Sequence, residues 1–471
     1  MDSGKPPASW RFRLAIDWKL GLTCALSMKP EGRGLELFWR NSCCLVAIAL
    51  GTFNLTSAAQ TFSDANWTSL GSGMNGSVRA LAVSGTNVYA GGLFTSAGSV
   101  TVNHVAKWNG STWSALGSGM DSSVLALAVS GTNMYAAGIF ASAGGVTANK
   151  VAKWNGSSWS AMGTGMNGYY VNALVVSGTN LYAGGNFTMA GFSTARQIAV
   201  WNGTSWFGLS FGIGLDNTVY SLAVSGNNLY AGGDFVRADG AITVNSIAKW
   251  SGSSWSALGS GMGGTDLNSV YAIVISGANL YASGLFTTAG TVSAHDIAMW
   301  NGSSWSSPGW FSAGTNYYPS VYALALSGSD LYAGGDFTNA TGIAANRLAK
   351  WNGTHWSGLG SGLNGTVRAL AVSGNDLYVG GDFTTAGNKP ASYIARASLL
   401  IPPTLAISQS AGAATISWPS TNTGFVLEQS ASLTSPSTWV SNTATVSDDG
   451  TNTWVTVPAI NDLQFFRLRK P

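Results

Sequence analysis

The chain has 471 residues, of which only 9% are charged, while glycine reaches 62 residues and tryptophan 20. This composition argues against a helical enzyme and fits an all-β protein with many tight turns and aromatic pairs. The net charge of +3 belongs to the first 59 residues, which hold seven of the 22 basic and four of the 19 acidic residues and leave 15 of each elsewhere. A balanced charge without a basic patch gives no indication of binding to nucleic acid or to an anionic membrane.

Residues 1–59 are expected to be a leader. From Cys43 the sequence CCLVAIALGTFNL is an apolar run of signal-peptide length, followed by small residues up to Ala59. We predict export with cleavage after Ala59, and Met28 as the initiator, so that residues 1–27 would be an upstream extension. No segment approaches 18 uninterrupted apolar residues, so stable membrane insertion is not expected. All three cysteines lie in this leader, and we therefore expect no disulfide or thiol chemistry in the mature protein.

A repeat with a period of 46 to 51 residues, marked by the tryptophan of a WNG-like element, occupies most of the remaining chain. In its first copy, VRALAVSG (78–85), NVYAGGLF (87–94), HVAKW (104–108) and WSALG (113–117) are short apolar stretches bounded by Gly, Asn and Ser. This pattern predicts four strands of an antiparallel meander, which is typical of a propeller blade. The two tryptophans that flank each WNGSSW-like turn are expected to face each other across the third and fourth strands.

The two ends of the repeat array complement each other. Seven copies contain the first three strands, but the last one, after IARAS at 394–398, has no following WSALG strand. The chain instead begins with an unpartnered strand of this type, at 66–71. Pairing of this strand with the last copy would remove the exposed edges of the array. We therefore predict a seven-bladed β-propeller over residues 60–401.

The order VxALAVSGxxLYAGG, variable loop, IAKWNGxxWSALGSGM resembles the kelch repeat of galactose-oxidase-like propellers. The GGDF element at 232, 334 and 380, followed by Thr in the last two copies, is also similar to the GGDFT propeller repeats of secreted bacterial proteins. The resemblance covers roughly residues 62–400 and implies the fold but no particular function. Copper-radical chemistry, which some relatives perform, needs a cysteine that the mature chain lacks.

Composition changes after Pro402-Pro403. Short alternating segments such as ATISWPS and NTWVTVP follow, and over residues 402–471 they resemble a small fibronectin-III or immunoglobulin-like β-sandwich with Trp418 in its core. The predicted fold class is all-β throughout.

The sequence contains few candidates for catalytic residues. His104, His295 and His355 occupy three different positions of the repeat, so no metal site is expected, and no cofactor either. The aspartates of the GGDF elements, Asp234 and its equivalents Asp336 and Asp382, are interpreted as strand-end residues. Other copies place Leu93, Ile139, Asn186 and Leu285 at this position.

Variation is concentrated at one end of the strands. The SGTN and NGSS turns stay short, whereas the loops at the opposite end differ in length, which is typical of a scaffold face and a binding face. The second residue of the first strand also varies, and three consecutive copies place Tyr there. Tyr and Arg are enriched at binding hot spots, so these residues are candidates to line the channel mouth, with inter-blade packing as the alternative. The candidate ligand-binding residues are Arg79, Asn172, Tyr220, Tyr271, Tyr322 and Arg368; the remaining copy has Leu125.

Two functions are open at this point, besides a pure scaffold without a ligand. The first is a secreted, non-enzymatic binding or adhesion protein, monomeric, whose variable face binds a glycan or a protein. The second is a carbohydrate-active hydrolase or lyase that uses Asp and Tyr on the same face. Paired carboxylates within about 10 Å at the channel mouth would favour hydrolysis, and Tyr, Arg and Asn without paired acids would favour binding.

Overall fold

The structure is a computed structural model that describes the backbone strands 10–17 and 23–30 and residues 62–210, 213–264, 268–313, 319–399, 405–410, 413–419, 425–430, 439–458 and 465–469. The chain divides into two compact units. One is Phe62–Leu399, and the other combines Met1–Thr61 with Leu400–Pro471.

Phe62–Leu399 is built from repeated antiparallel sheets of four strands, and its described residues form seven of them. In each sheet the first, second, third and fourth strands lie side by side, as the sequence predicted. Numbered by their first strands, the sheets contain Val78–Ser84, Asn87–Gly92, Val105–Trp108 and Trp113–Ala115 (sheet 1); Val124–Ser130, Asn133–Gly138, Val151–Trp154 and Trp159–Ala161 (sheet 2); Tyr170–Ser177, Asn180–Asn186, Ile198–Trp201 and Trp206–Gly208 (sheet 3); Val219–Ser225, Asn228–Gly233, Ile247–Trp250 and Trp255–Ala257 (sheet 4); Ser269–Ser276, Asn279–Leu285, Ile297–Trp300 and Trp305–Ser306 (sheet 5); Val321–Ser327, Asp330–Gly335, Leu348–Trp351 and Trp356–Gly358 (sheet 6); and Val367–Ser373, Asp376–Gly381, Ile394–Ser398 and Trp67–Ser69 (sheet 7).

The fourth strand of sheet 7 comes from the other end of the repeat array. Trp67–Ser69 pairs antiparallel with Ile394–Ser398, and Trp67 lies opposite Ala397. A short 3-10 helix, Asp64–Asn66, precedes this strand, and Asn66 Nδ2 donates to Ser398 O at 3.2 Å. The predicted pairing of the N-terminal strand with the last repeat is therefore present.

The apolar core lies between neighbouring sheets. One phenylalanine of each repeat is fully buried there, and the first strand of each sheet contacts the first strand of the next. In sheet 1 the first glycine of the GG pair lies against the next sheet: a Cβ on Gly91 would lie 2.5 Å from Val124 Cγ1 of sheet 2. The first strands of sheets 7 and 1 are also in contact, and a Cβ on Gly380 would lie 2.5 Å from Val78 Cγ1. The buried phenylalanines are Phe94, Phe140, Phe187, Phe235, Phe286, Phe337 and Phe383.

The tryptophan hairpin joins the third and fourth strands. Trp154 and Trp159 lie directly opposite each other, with ring centroids 5.3 Å apart. Between them, Asn155 Oδ1 accepts a hydrogen bond from Ser157 N at 2.9 Å, and Gly156 has φ 103°, a conformation that favours glycine. The predicted cross-strand tryptophan pair is confirmed.

The fourth-strand tryptophans also connect the sheets. The Nε1 of Trp113 donates to Leu70 O, which follows the fourth strand of sheet 7, at 2.9 Å. Trp67 donates in the same way to Leu359 O of sheet 6, at 3.2 Å. Because a buried indole N–H needs an acceptor, each such bond fixes the spacing between two sheets. The equivalent donors elsewhere are Trp159, Trp206, Trp305 and Trp356.

The loops at the opposite end of the strands are more ordered than the sequence suggested. The segment between the second and third strands, expected as an open loop, folds into a two-stranded hairpin in every repeat. In the first repeat Ala97 of this hairpin also bridges to Met74, because the preceding GSGM segment runs beside it. Parts of two long loops, residues 265–267 and 314–318, lie outside the described residues. The hairpins are Ser96–Ala97 with Val100–Thr101, Ser142–Ala143 with Val146–Thr147, Met189–Ala190 with Ser193–Thr194, Arg237–Ala238 with Ile242–Thr243, Thr288–Ala289 with Val292–Ser293 and Met262–Gly263, Asn339–Ala340 with Ile343–Ala344 and Phe311–Ser312, and Thr385–Ala386 with Lys389–Pro390.

The second unit contains two sheets that share one core. Trp418 is buried, as expected, among Ile416, Leu427, Val455 and Phe466, which come from both sheets. The first sheet contains Ala406–Ser410, Ala413–Pro419, Asn452–Pro458 and Val446–Asp448, and the second Phe465–Arg469, Val426–Ser430 and Val440–Ser441.

The second of these sheets is extended by an N-terminal hairpin. Trp10–Asp17 pairs antiparallel with Thr23–Pro30, and Leu26 lies opposite Phe466. The apolar run from Cys43 to Ala59 lies outside the described residues, so the signal peptide and its cleavage remain predictions. In the part of the chain that the structure describes, no helix is both long and apolar enough to cross a membrane.

Candidate functional site

The residue that follows the fully buried valine near the start of each first strand is the bulged residue of a β-bulge. In sheet 1, Val78 lies opposite Gly92 and Ala80 opposite Gly91, so Arg79 has no partner on the second strand. The same shift recurs in the other six sheets, and the bulged side chain is half-buried each time. A bulge redirects one side chain without interrupting the sheet. The bulged residues are Arg79, Leu125, Asn172, Tyr220, Tyr271, Tyr322 and Arg368, the positions that the sequence analysis selected.

The second glycine of the GG pair makes room for this bulge. A Cβ on Gly92 would lie 2.1 Å from Ser77 O, the carbonyl just before the first strand. That carbonyl accepts a hydrogen bond from Leu93 N at 2.8 Å. No side chain fits between the two backbones, so glycine is required at this place.

Four bulged side chains from consecutive sheets form a continuous contact. Tyr220 and Tyr271 meet edge to face with centroids 5.4 Å apart, and Tyr271 stacks on Tyr322 at 5.3 Å. Arg368 Cζ lies 4.4 Å from the centroid of the Tyr322 ring. Tyr322 therefore lies between Tyr271 and Arg368, which hold it by stacking and by a cation–π contact.

The aspartates of the GGDF elements accept hydrogen bonds from two of these bulged tyrosines. Tyr220 Oη donates to Asp234 Oδ2 at 2.7 Å, and Ser269 Oγ of sheet 5 donates to Asp234 Oδ1 at 2.5 Å. Tyr322 Oη donates to Asp336 Oδ2 at 3.4 Å. These aspartates are thus more than strand-end residues, because they position the bulged side chains and, at Asp234, connect two sheets.

The environment keeps the tyrosines protonated. Burial raises the pKa of Tyr220, and the hydrogen bond to Asp234 and the charge of that carboxylate raise it further. Burial also raises the pKa of Tyr271. Both phenols therefore act as neutral hydrogen-bonding groups and not as bases at neutral pH.

Two bulged arginines share one carboxylate where sheets 7 and 1 meet. Arg368 Nε lies 2.9 Å from Asp382 Oδ2, and Arg79 Nη2 lies 3.8 Å from Asp382 Oδ1. Ser77 Oγ donates to the same Oδ1 at 2.5 Å. Burial would raise the pKa of Asp382, but the hydrogen bonds from Ser77 and Arg368 and the charges of both arginines hold it below its usual value. The carboxylate stays ionised, and the cluster carries one excess positive charge.

The remaining bulged positions are less polar. Asn172 Nδ2 donates to Val219 O of sheet 4 at 3.4 Å, so its amide contributes to inter-sheet packing. Leu125 is apolar, and beside it Ile139 takes the place of an aspartate; Leu93 does the same beside Arg79. The bulged residues of sheets 4 to 7 and Arg79 thus form a polar arc, and sheets 2 and 3 add little to it.

Sequence reasoning missed a second variable position. The residue just before each third strand has a left-handed backbone in all seven repeats, with φ between 63° and 69°. Asp296 at this position is 6% exposed, and burial together with the charge of Asp336 raises its pKa to about 8. Six of these residues stand four before the WNG-type tryptophan, and this fixed spacing with changing residue type was the available signal. They are His104, Lys150, Gln197, Ser246, Asp296, Arg347 and Tyr393.

The histidines do not form a common site. His104 contacts Gly92 O through Nδ1 at 3.2 Å, whereas His355 lies in an exposed turn beside Asn352. Within the described ranges, no group of three or more His, Cys, Asp or Glu is placed to hold a metal ion.

No protein-family model matches this chain, and no curated protein matches it.

Proposed function

We propose that residues 62–399 close into a seven-bladed β-propeller with kelch-like blades, and that the second unit is a fibronectin-III or immunoglobulin-like sandwich. Closure is supported by the contacts between sheets 7 and 1, which repeat those between other neighbours. The first strands of the two sheets are in contact, Gly380 leaves space for the side chain of Val78, and Trp113 Nε1 donates a hydrogen bond to Leu70 O. Under this proposal the seven bulged residues surround one mouth of a central channel.

The function that this geometry supports best is non-enzymatic binding, by a secreted protein, of a glycan at the channel mouth. The observation that carries it is the polar arc: Tyr220, Tyr271, Tyr322 and Arg368 contact one another in sequence on four sheets that share one backbone geometry. A preordered array loses little conformational entropy when it binds a ligand.

The chemistry of the arc favours a glycan. Neutral phenol groups, carboxylates and guanidinium groups offer donors and acceptors to sugar hydroxyls, and the aromatic edges offer apolar contact. Because Tyr322 is held between Tyr271 and Arg368, the polar arc keeps its shape when a ligand is absent. A preformed surface that combines apolar area with a few fixed polar groups suits a sugar ring, which has an apolar C–H face and a rim of hydroxyl groups.

Glycan and matrix-protein arrays with the purified full chain test the proposal. The triple variant Tyr220→Ala, Tyr271→Ala, Tyr322→Ala should lose binding, and the triple change to Phe should weaken it, because only the hydroxyl groups are removed. His355→Ala is the control, since this exposed residue lies in a turn at the opposite end of the strands. If both triple variants bind the glycan as tightly as His355→Ala does, the polar arc is not the binding site.

A second candidate function, a carbohydrate-active hydrolase, is favoured by Asp296 and Asp336. A carboxyl group that stays protonated near neutral pH next to a second carboxylate is the arrangement a general acid needs. However, Asp296 is 6% and Asp336 8% exposed, and such buried groups are poorly placed to reach a glycosidic bond. Release of reducing ends from polysaccharides that is abolished by Asp296→Asn would establish hydrolysis, and binding without turnover would establish the first function.

A further inference from the structure

The arginine pair of sheets 7 and 1 is incompletely satisfied. Arg368 has a hydrogen bond to Asp382 and lies over the ring of Tyr322. Arg79 instead approaches Asp382 only at 3.8 Å, which is an ion-pair distance and not a hydrogen bond. Its Nε is buried and has no hydrogen-bond partner among the residues that the structure describes. One carboxylate therefore serves two guanidinium groups, and one of them retains an unused donor.

This arrangement is unfavourable without a further anion. Burial lowers the pKa of Arg79, and the like charge of Arg368 lowers it further, while Asp382 acts in the opposite direction. Two half-buried cations with 31% and 25% of their side chains exposed repel each other more strongly than they would in water. A purely structural ion pair would need only one arginine for Asp382. The second arginine adds charge and an unmet donor but no hydrogen bond to the carboxylate.

We propose that Arg79 and Arg368 form a subsite for a singly charged oxyanion carried by a glycan, the carboxylate of a uronic acid or a sulfate ester. The inference rests on the proposed glycan binding and specifies its ligand class. Two guanidinium groups opposed by one carboxylate leave one positive charge, which matches a monoanion. Guanidinium groups suit the paired oxygens of such an anion, because their donors lie in one plane in a fixed fork. The adjacent tyrosine hydroxyls would then contact the sugar that carries the anion.

Calorimetry with the full chain tests the subsite with matched probes. Oligogalacturonate is compared with its carboxyl-reduced neutral form, and a sulfated glucan with the parent glucan. The acidic form of at least one pair should bind about tenfold more tightly than its neutral form, because a charge-assisted contact is lost in the latter. The pair that shows the difference identifies carboxylate or sulfate as the anion.

Variants assign the effect to the arginine pair. Arg79→Gln should reduce the preference for the acidic over the neutral glycan about tenfold, because only the acidic form loses a charge-assisted contact. Arg79→Lys keeps the charge but not the fork and should give an intermediate loss. Arg396→Gln is the control, because it removes the same charge from a pair with Asp376 away from the bulged positions. Thermal unfolding of each variant shows that the fold is intact.

The outcomes separate the subsite from the proposed function. Equal affinity for the acidic and neutral forms, or an unchanged preference in Arg79→Gln, overturns the subsite while glycan binding stands. If neither acidic nor neutral glycans bind, glycan recognition itself is wrong and the subsite falls with it.

Discussion

The tryptophan hairpin recurs in six of the seven sheets and the bulged first strand in all seven, but the two features differ in what is repeated. At the hairpin the residue recurs with the backbone, and six of the seven fourth-strand indoles make the same bond to a neighbouring sheet. At the bulge only the backbone recurs, and the side chain changes between Arg, Leu, Asn and Tyr. A residue that packing requires recurs with the fold. A residue that changes on a constant backbone is available for recognition.

The largest effect is expected at the fourth-strand tryptophans. Trp67→Ala and Trp113→Ala should each lower the free energy of unfolding by about 3–5 kcal/mol, because each removes a large buried side chain and an inter-sheet hydrogen bond. Denaturant titrations of both variants measure this.

The two variants also test closure of the propeller. In a closed ring Trp67 belongs to an ordinary sheet, so both changes should cost the same within about 0.5 kcal/mol. In an open array the sheet that holds Trp67 is a terminus that unfolds locally, and Trp67→Ala would then cost much less. Such a difference would contradict the seven-bladed closure.

Asp296 should differ from these tryptophans, because its side chain lowers the free energy of unfolding at neutral pH. The pKa of Asp296 is about 8 in the folded chain, whereas the ordinary value of an aspartate is 3.8. Between these two pH values the folded state retains a proton that the unfolded state has lost. The stability contributed by this group is complete below about pH 4 and decreases, by up to about 1.4 kcal/mol per pH unit, until about pH 8. Relative to wild type, Asp296→Asn should therefore become steadily more stable as the pH rises from 5 to 8.

The difference between the two unfolding curves isolates this effect, because every other titrating group is common to both proteins. Asp336 is coupled to Asp296, so the transition in the difference curve belongs to the pair and not to one residue. Parallel stability curves for wild type and Asp296→Asn between pH 5 and 8 would show that Asp296 is already ionised in the folded chain.

A smaller effect distinguishes the tryptophans from one another. Trp113 Nε1 is hydrogen-bonded to Leu70 O at 2.9 Å, whereas the buried Nε1 of Trp255 has no partner in the described part of the chain. Trp113→Phe leaves a carbonyl without its donor, but Trp255→Phe removes a donor that is already unsatisfied. Trp255→Phe should therefore cost about 1–2 kcal/mol less than Trp113→Phe in chemical denaturation. Equal costs would mean that the indole hydrogen bonds add nothing to the packing of the rings.

Local features of this fold were predictable from the sequence, and relations between sheets were not. Strand periodicity and the spacing of Trp154 and Trp159 are local, so the four-stranded sheets and the tryptophan pairs could be expected. The support of Tyr220 by Asp234 depends on the bulge, which rotates the tyrosine toward a residue 14 positions later. Asp296 was missed because its environment is created by burial and by Asp336 of the next sheet.

The smallest effect on stability is expected at the bulge itself. Leu125 is half-buried and has no partner on the second strand, whereas its neighbour Val124 is fully buried between sheets. Leu125→Ala should lower the free energy of unfolding by about 1 kcal/mol or less, and Val124→Ala by about 2 kcal/mol or more, although leucine is the larger side chain. Denaturant titration of this pair compares two adjacent residues of one strand. If Leu125→Ala costs as much as Val124→Ala, the bulged positions belong to the packing of the sheets, and the proposal that they serve recognition loses its structural basis.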